Sequence, residues 1–165
     1  MKISTTFYFD QPPEEVARVL RSEEYKLAEE REREEHVSSA YRVLEEAEDR
    51  LVFEVATVEY ERTLTGGLNR SKTFTSSNTN VWDARERTLS WTYRGQLGDR
   101  SSFTGLFRFL ENGGGTRLTH EITIEVFVPV VGAVIARAVA RSFERSFPEF
   151  ERLLRQHLAA ARTQE

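Results

Sequence analysis

Three histidines are the side chains of this sequence best suited to acid–base or metal chemistry near neutral pH. His36, His120 and His157 are far apart along the chain. His120 begins the segment HEITI, which lacks the second histidine of a zinc-binding H-E-x-x-H motif, and a strand would not place such a pair on one face. The sequence therefore predicts no metal site, and no pattern in it indicates a cofactor.

His120 is the strongest candidate for a functional side chain, because it interrupts an otherwise apolar strand face. A neutral imidazole there could orient the carbonyl or hydroxyl group of a ligand, or act as an acid or a base. The alternative is a core histidine that bonds a neighbour such as Tyr93. Tyr93 and Glu59 are weaker catalytic candidates, and acid–base catalysis requires two such groups to converge.

Other common catalytic patterns are missing. The TGG and GGG segments fall at predicted hairpins rather than between a strand and a helix, so they do not match a phosphate-binding loop. The sequence has no G-x-S-x-G motif. It also has no cysteine, which excludes a disulfide, a thiolate metal site and a cysteine nucleophile. The N-terminus does not have the pattern of a signal peptide, and together these features predict a cytoplasmic protein.

The charge of the chain bears on its partners. A net charge of −4 argues against general nucleic-acid binding, which needs a basic surface to displace counterions from phosphates. The segment from Glu14 to Glu61 is acidic, whereas the segment after Pro129 is basic through Arg137, Arg141, Arg145, Arg152, Arg155 and Arg162. Two solvated faces explain this difference, and transient contact with an anionic membrane surface is the alternative.

Strands predicted from alternating patterns must position these side chains. Lys2 to Phe9 alternates as a strand does, and two short helices follow, beginning near Pro13 and after a Ser22 cap. The second helix has few apolar residues and is predicted to lie on the surface. The charged run from Glu29 to Glu35 is explained by ion pairs on a solvated helix.

Six further strands are predicted between His36 and Val128, where short β-branched and aromatic segments alternate with turn residues. One of them is predicted to end at Leu64. Their short connections require antiparallel neighbours. The last strand places Leu118, His120 and Ile122 on a dry face. The middle strand, Ser71 to Trp82, carries polar groups on both faces and leaves open which face points inward.

A long amphipathic helix is predicted from Pro129 onward, because apolar residues recur there at spacings of three and four. Charged residues interrupt one side of the run, so it is too polar to span a membrane. Pro148 predicts a kink, or a stop and restart, and Ser146 to Glu149 has the form of a capping box.

The order of these elements resembles the START-like helix-grip superfamily, which includes lipid-transfer domains, the birch pollen allergen and polyketide cyclase/dehydratases. Local similarity lies in FDQPPEEVARVLRSEEY and VFVPVVGAVIARAVARSFERSF, and the resemblance covers nearly the whole chain. It implies a single domain, residues 1–165, with an α+β fold in the order β-α-α-β-β-β-β-β-β-α. A seven-stranded curved antiparallel sheet would surround the long C-terminal helix, with a cavity between them.

The resemblance implies that a hydrophobic small molecule, such as a lipid or a polyketide, binds in this cavity. The residues expected to line it are Leu89, Trp91, Tyr93, Phe103, Phe107, Phe109, His120, Ile122, Ile124, Val131, Val134, Ile135 and Ala138. The alternative is that these residues fill a solid core. Other superfamily members imply two further functions, a cyclase/dehydratase-like enzyme and an Hsp90-activator-like interaction module with an acidic contact surface. The ligand's identity and the oligomeric state stay open.

Overall fold

A computed structural model describes residues 1–63 and 65–163 as a seven-stranded sheet, two short helices and one long helix. The elements are β1 (Lys2–Phe9), α1 (Pro13–Leu20), α2 (Glu23–Arg31), β2 (His36–Ala47), β3 (Arg50–Arg62), β4 (Leu68–Asp83), β5 (Thr88–Arg94), β6 (Ser101–Asn112), β7 (Gly115–Val126) and α3 (Gly132–Thr163). The strand end predicted at Leu64 lies outside the described residues.

The strands lie in the order β1-β7-β6-β5-β4-β3-β2, and every neighbouring pair is antiparallel. At the β6–β7 turn, Gly113 and Gly114 have φ angles of +56° and +88°, which confirms the tight hairpin predicted there. α3 packs against β7, β1 and α1. The predicted α+β helix-grip fold, a curved sheet around a C-terminal helix, is therefore confirmed.

The middle strand β4 turns inward the face on which polar residues lie between Phe74 and Trp82. Ser76, Asn80 and Trp82 are buried, whereas Thr73 and Thr75 on the other face are exposed. This settles the orientation that the sequence left open. It also places two polar side chains inside the protein, where each needs a hydrogen-bond partner.

α3 begins at Gly132, so the predicted start at Pro129 is wrong by three residues. Val130 has a φ of +70°, which a right-handed helix cannot contain. The helix continues through Pro148, and Ser146 donates its hydroxyl hydrogen to the carbonyl of Phe143 instead of capping a new helix. The predicted restart is wrong because Pro148 lies on the exposed side, where water can bond the carbonyl that it leaves free.

The inward face of α3 also differs from the prediction. Val131, Val134 and Ala138 were expected to face the sheet but are exposed, and Ile135 is only half-buried. Small residues face inward instead, because the helix begins very close to the sheet. A Cβ atom on Gly132 would lie 2.8 Å from the carbonyl oxygen of Val126. The buried small residues of this face are Gly132, Ala136 and Ala140.

α2 is more deeply buried than predicted. Tyr25 is fully buried, and its ring contacts Phe150 and His157 of α3 edge to face. The Tyr25 hydroxyl donates to Glu29 over 2.9 Å. The prediction of a surface helix is therefore wrong for the side of α2 that carries Tyr25 and Glu30.

Candidate functional site

The candidate site is the inner face of the sheet together with the side of α3 that faces it. The predicted lining residues from the strands share this face, and all are buried except the half-buried Tyr93: Leu89, Trp91, Tyr93, Phe103, Phe107, Phe109, His120, Ile122 and Ile124. The structure thus brings together the strand part of the predicted lining. The predicted lining residues Val131, Val134 and Ala138 of α3 are exposed to solvent and do not belong to this face.

His120 is a buried, hydrogen-bonded histidine. Its Nε2 atom lies 3.0 Å from Nε1 of Trp91, and its ring stacks on Phe107 with centroids 3.7 Å apart. Because an indole N–H can only donate, Nε2 accepts and the imidazole proton lies on Nδ1. Burial, followed by the charge of Lys26, lowers the pKa of His120 to about 3. His120 is therefore neutral near pH 7, and it is a core histidine bonded to a neighbour, which is Trp91 rather than the Tyr93 named as an example.

Gly105 allows Trp91 to reach His120. In the sheet register Trp91 pairs with Gly105, and the indole lies across that glycine. A Cβ atom at position 105 would lie 2.1 Å from the indole nitrogen. Such a contact is impossible without moving the ring.

Gly105→Ala is expected to displace Trp91 and to lower the free energy of unfolding by about 1–2 kcal/mol. The added methyl group overpacks the interior, and the lower entropy of alanine in the unfolded chain offsets only part of that cost. Chemical denaturation measures this change, and the fluorescence of Trp91 reports on its new environment. Gly67→Ala is the matched control, because its Cβ would meet its nearest atom at 3.6 Å. Equal stabilities of the two variants would contradict the role of Gly105.

A second polar group lies at the α2 end of the inner face. We call Glu30, Arg33, Glu35 and Glu59 the carboxylate–arginine cluster. Arg33 donates to Glu30 over 2.9 Å, to Glu59 over 3.0 Å and to Glu35 over 2.7 Å. The Glu59 side chain is 3% exposed and that of Glu30 is 10% exposed, whereas Arg33 is 32% exposed. A single guanidinium thus joins α2 and its following loop to β3.

Neighbouring hydroxyl groups complete this cluster. Ser76 and Tyr93 both donate to Oε2 of Glu59, the latter over 3.2 Å. Thr57 donates to Glu30 over 3.0 Å. Burial, and then the charge of Glu59, raises the pKa of Tyr93 to about 12, so its hydroxyl remains a donor. Glu59 is consequently held by an arginine and two hydroxyl groups.

The pKa values of Glu30 and Glu35 are shifted in opposite directions. Burial raises the pKa of Glu30 despite the nearby charge of Arg33. Burial also acts to raise the pKa of Glu35, but Arg33 and hydrogen bonds outweigh it and hold that pKa below the ordinary value. Glu30 therefore takes up a proton before Glu35 on acidification.

The solvated-helix interpretation of the run from Glu29 to Glu35 is wrong for Glu30 and Arg33. The sequence did contain a signal for their role. Glu59 follows Phe53, Val55 and Thr57 at alternate positions of β3, which places a carboxylate on the buried face. A carboxylate in that register needs a buried cation or several donors.

Asn80 is the inner-face residue whose hydrogen bonds are incomplete. It is 1% exposed and lies between Phe53 of β3 and Trp91 of β5 in one row across the sheet. Its Nδ2 donates over 3.2 Å to the backbone carbonyl of Asn78, which fixes the orientation of the amide. Its Oδ1 has no partner among the described residues. Such an acceptor is costly to bury unless a guest molecule supplies a donor.

The inner face is closed on one side and partly open on the other. Near β1 and β7, Phe7, Phe107 and Phe150 pack ring against ring. Over β4 and β5, by contrast, Asn78 and Tyr93 are only half-buried, and so is Phe143 of α3, whose ring centroid lies 5.9 Å from that of Trp91. The side chains between the N-terminal half of α3 and strands β3 to β5 are thus less completely covered than those near β1 and β7, and we call this region the inner cleft.

Of the three candidate catalytic residues, Glu59 and Tyr93 are hydrogen-bonded to each other, whereas His120 is bonded to Trp91 and to neither of them. Nε2 of His120 is bonded to Trp91, and Glu59 is bonded to Arg33, Ser76 and Tyr93. Among the described residues, His120 and Glu59 share no hydrogen-bond partner. The arrangement is better suited to holding shape than to moving protons.

Solved structures show the same fold over nearly the whole chain. TTHA0849 from Thermus thermophilus is 19% identical with a TM-score of 0.66, covering 98% of this chain and 99% of that one. The Zhui aromatase/cyclase from Streptomyces sp. R1128 is 16% identical with a TM-score of 0.59, covering 95% and 93%. A START superfamily protein from Mycobacterium smegmatis is 15% identical with a TM-score of 0.56, covering 94% and 97%.

These likenesses confirm the resemblance to the START-like superfamily at the level of the fold. A comparison with curated proteins gave no match. One family model matches residues 4–158, which is nearly the entire chain, and its description is "Protein of unknown function (DUF2505)". This protein therefore belongs to the DUF2505 family.

Proposed function

We propose that this protein binds a hydrophobic small molecule in the inner cleft, and that the molecule carries a hydrogen-bond donor such as a hydroxyl group. The observation that carries the proposal is the unpartnered Oδ1 of Asn80, buried among aromatic side chains. A buried acceptor that no protein group satisfies needs a donor from a bound molecule, and a hydroxyl group on a ligand can supply it.

The walls of the cleft support an apolar ligand. Trp91 and Phe143 form an aromatic surface beside Asn80, and Tyr93 stacks on Phe103 with centroids 6.0 Å apart. Rigid aromatic walls with one or two fixed polar groups are typical of small-molecule sites. The superfamily resemblance, with an aromatase/cyclase and a START superfamily protein among the structures of this fold, supports a polyketide or a lipid as the ligand class.

Binding is favoured over catalysis by the state of the ionisable groups. His120 has a pKa near 3, which keeps its imidazole neutral, and its Nε2 lone pair is used by Trp91. The cyclase/dehydratase-like alternative needs a free acid–base pair, which these contacts do not favour. Interaction with a protein through the acidic N-terminal half remains a separate prediction.

Asn80→Leu is expected to abolish a preference for hydroxylated ligands, because it replaces the acceptor with an apolar group of similar size. Wild type should bind 2-naphthol about tenfold more tightly than naphthalene, the value of one net hydrogen bond, whereas the variant should bind both equally. Quenching of tryptophan fluorescence measures both affinities. Native mass spectrometry after incubation with mixed lipids and hydrophobic metabolites tests the wider ligand class.

Phe143→Ala provides the complementary variant, since it should weaken both probes without changing their ratio. Val43→Ala, on the exposed edge of β2, controls for nonspecific effects. Failure of every probe and every metabolite to bind would overturn the proposal. An unchanged naphthol preference in Asn80→Leu would remove Asn80 from the site.

A further inference from the structure

The connection between β7 and α3 carries a cluster of exposed apolar side chains. We call Phe127, Val130, Val131 and Val134 the junction patch. Their exposed fractions are 57%, 100%, 46% and 61%. The patch borders a surface hollow of about 470 Å³, which Phe127 and Met1 help to line. Clusters of this kind on a protein surface commonly mark contact with a partner or a membrane.

Val130 has a conformation that folding alone does not explain. Its φ of +70° is unfavourable for a β-branched residue, while glycine or asparagine adopts it readily. Its side chain is fully exposed and so gains nothing from packing inside the protein. A strained backbone that holds an apolar side chain in water indicates a role for that side chain outside the protein.

Arginines extend from the patch along the exposed side of α3. Arg137, Arg141 and Arg145 recur at intervals of four residues, next to Val134, and all are exposed. Within residues 1–63 and 65–163, none of the three forms an ion pair. The acidic residue nearest to them in sequence is Glu144 on α3 itself, and on β7 it is Glu125. The outer face of the first half of α3 is therefore locally basic in a protein of net charge −4.

We propose that the junction patch and these arginines dock the protein on the surface of an anionic membrane. The apolar side chains enter the boundary between headgroups and acyl chains, and the arginines contact lipid phosphates. In the described part of the chain, no helix is long and apolar enough to cross a membrane. The protein thus lies on the membrane without a spanning helix from this part of the chain. This inference stands on the surface residues and does not depend on ligand binding in the cleft.

A membrane fits the patch better than a second copy of the chain. A two-fold symmetric dimer built on this patch would bring the two locally basic surfaces close together. Like charges at an interface oppose association, whereas anionic headgroups attract the same arginines. The occupant that satisfies both the apolar and the basic residues is an anionic lipid surface.

Vesicle sedimentation tests this proposal, with phosphatidylcholine vesicles prepared with or without phosphatidylglycerol. Wild type should bind the anionic vesicles, and salt should weaken the binding. Arg137→Gln/Arg141→Gln should reduce affinity roughly 25-fold, at about fivefold for each arginine. Val130→Asn/Val134→Asn should reduce it by about tenfold or more through lost apolar insertion. Asparagine tolerates the φ of residue 130, so this variant should fold at least as stably there.

Matched controls separate the patch from general effects. Arg108→Gln/Arg117→Gln makes the same charge change on exposed residues of β6 and β7, and Val37→Asn/Val43→Asn makes the same polarity change on exposed valines of β2. Both controls should bind like wild type. The proposal is overturned if wild type fails to bind anionic vesicles, or if controls and patch variants lose affinity equally. A dimer in light scattering that Val130→Asn/Val134→Asn dissociates would instead make the patch a self-association surface.

Discussion

Arg33→Met is expected to lower the free energy of unfolding by about 2–4 kcal/mol at pH 7. Removing one partner of a buried ion pair typically costs about 3–5 kcal/mol, because the remaining charge is left uncompensated. Here the arginine itself is 32% exposed, so the expected value is reduced for solvent screening. Most of the loss comes from Glu30 and Glu59, whose side chains are far more buried.

Urea denaturation at several pH values measures this effect. The destabilisation should shrink as the pH falls, because a protonated carboxyl group no longer needs the cation. Arg33→Met/Glu59→Gln should recover part of the loss for the same reason. Arg62→Met is the control, since Arg62 also contacts Glu35 but is exposed, and it should change stability by less than about 1 kcal/mol. Equal effects of the two arginine variants would mean that the cluster contributes no more than a surface ion pair.

His120 is expected to make the fold sensitive to acid. Burial, with the charge of Lys26, lowers its pKa from 6.5 to about 3 in the folded protein. Between pH 6.5 and about pH 3 the unfolded chain binds a proton at His120 that the folded protein does not bind. The free energy of unfolding therefore loses nothing through His120 well above pH 6.5, and it decreases as the pH falls toward 3. At about 1.4 kcal/mol per pH unit, acidification from about pH 6.5 to about pH 4 should remove about 3 kcal/mol through this residue.

Comparison with His120→Gln isolates that contribution. Glutamine keeps an acceptor for the Trp91 indole but does not titrate, so its stability should depend less on pH over this interval. The difference between the two pH profiles removes the effects of Glu30 and Glu35, which both proteins retain. His36→Gln should follow wild type, because His36 is a more exposed histidine at the start of β2. Parallel profiles for wild type and His120→Gln would show that His120 is not held neutral.

The sheet was predictable because the residue pattern within each strand indicates which of its faces is buried. Alternation along β7 identified the buried face, and the glycines of the β6–β7 turn identified the hairpin. Short connections then left antiparallel neighbours as the simplest topology. These signals are local, so the sequence was sufficient for the order of elements and for the strand residues of the lining.

The helix face and the cluster depended on contacts between distant segments. The spacing of apolar residues on α3 is compatible with a buried face centred on Val134 and equally with one centred on Ala136. The close approach of Gly132 to β7 decides in favour of the face centred on Ala136. Arg33 resembles any surface arginine until β3 brings Glu59 beside it. Asn80 could be placed on a face with Trp82, but its missing partner is visible only when the surrounding atoms are known.

The pairing of β1 with β7 has a consequence for synthesis of the chain. Ile3 lies opposite Ile122, so β1 can pair with its neighbour only after β7 has been made. During translation β1 must wait with its backbone donors and acceptors unpaired, and α1 and α2 have no sheet to cover. Since contacts between distant segments form slowly, the sheet should be completed only after β7 has left the ribosome. A chaperone that shields β1 in this interval would bind an unpaired strand, whose hydrogen-bond partner in the folded protein is β7.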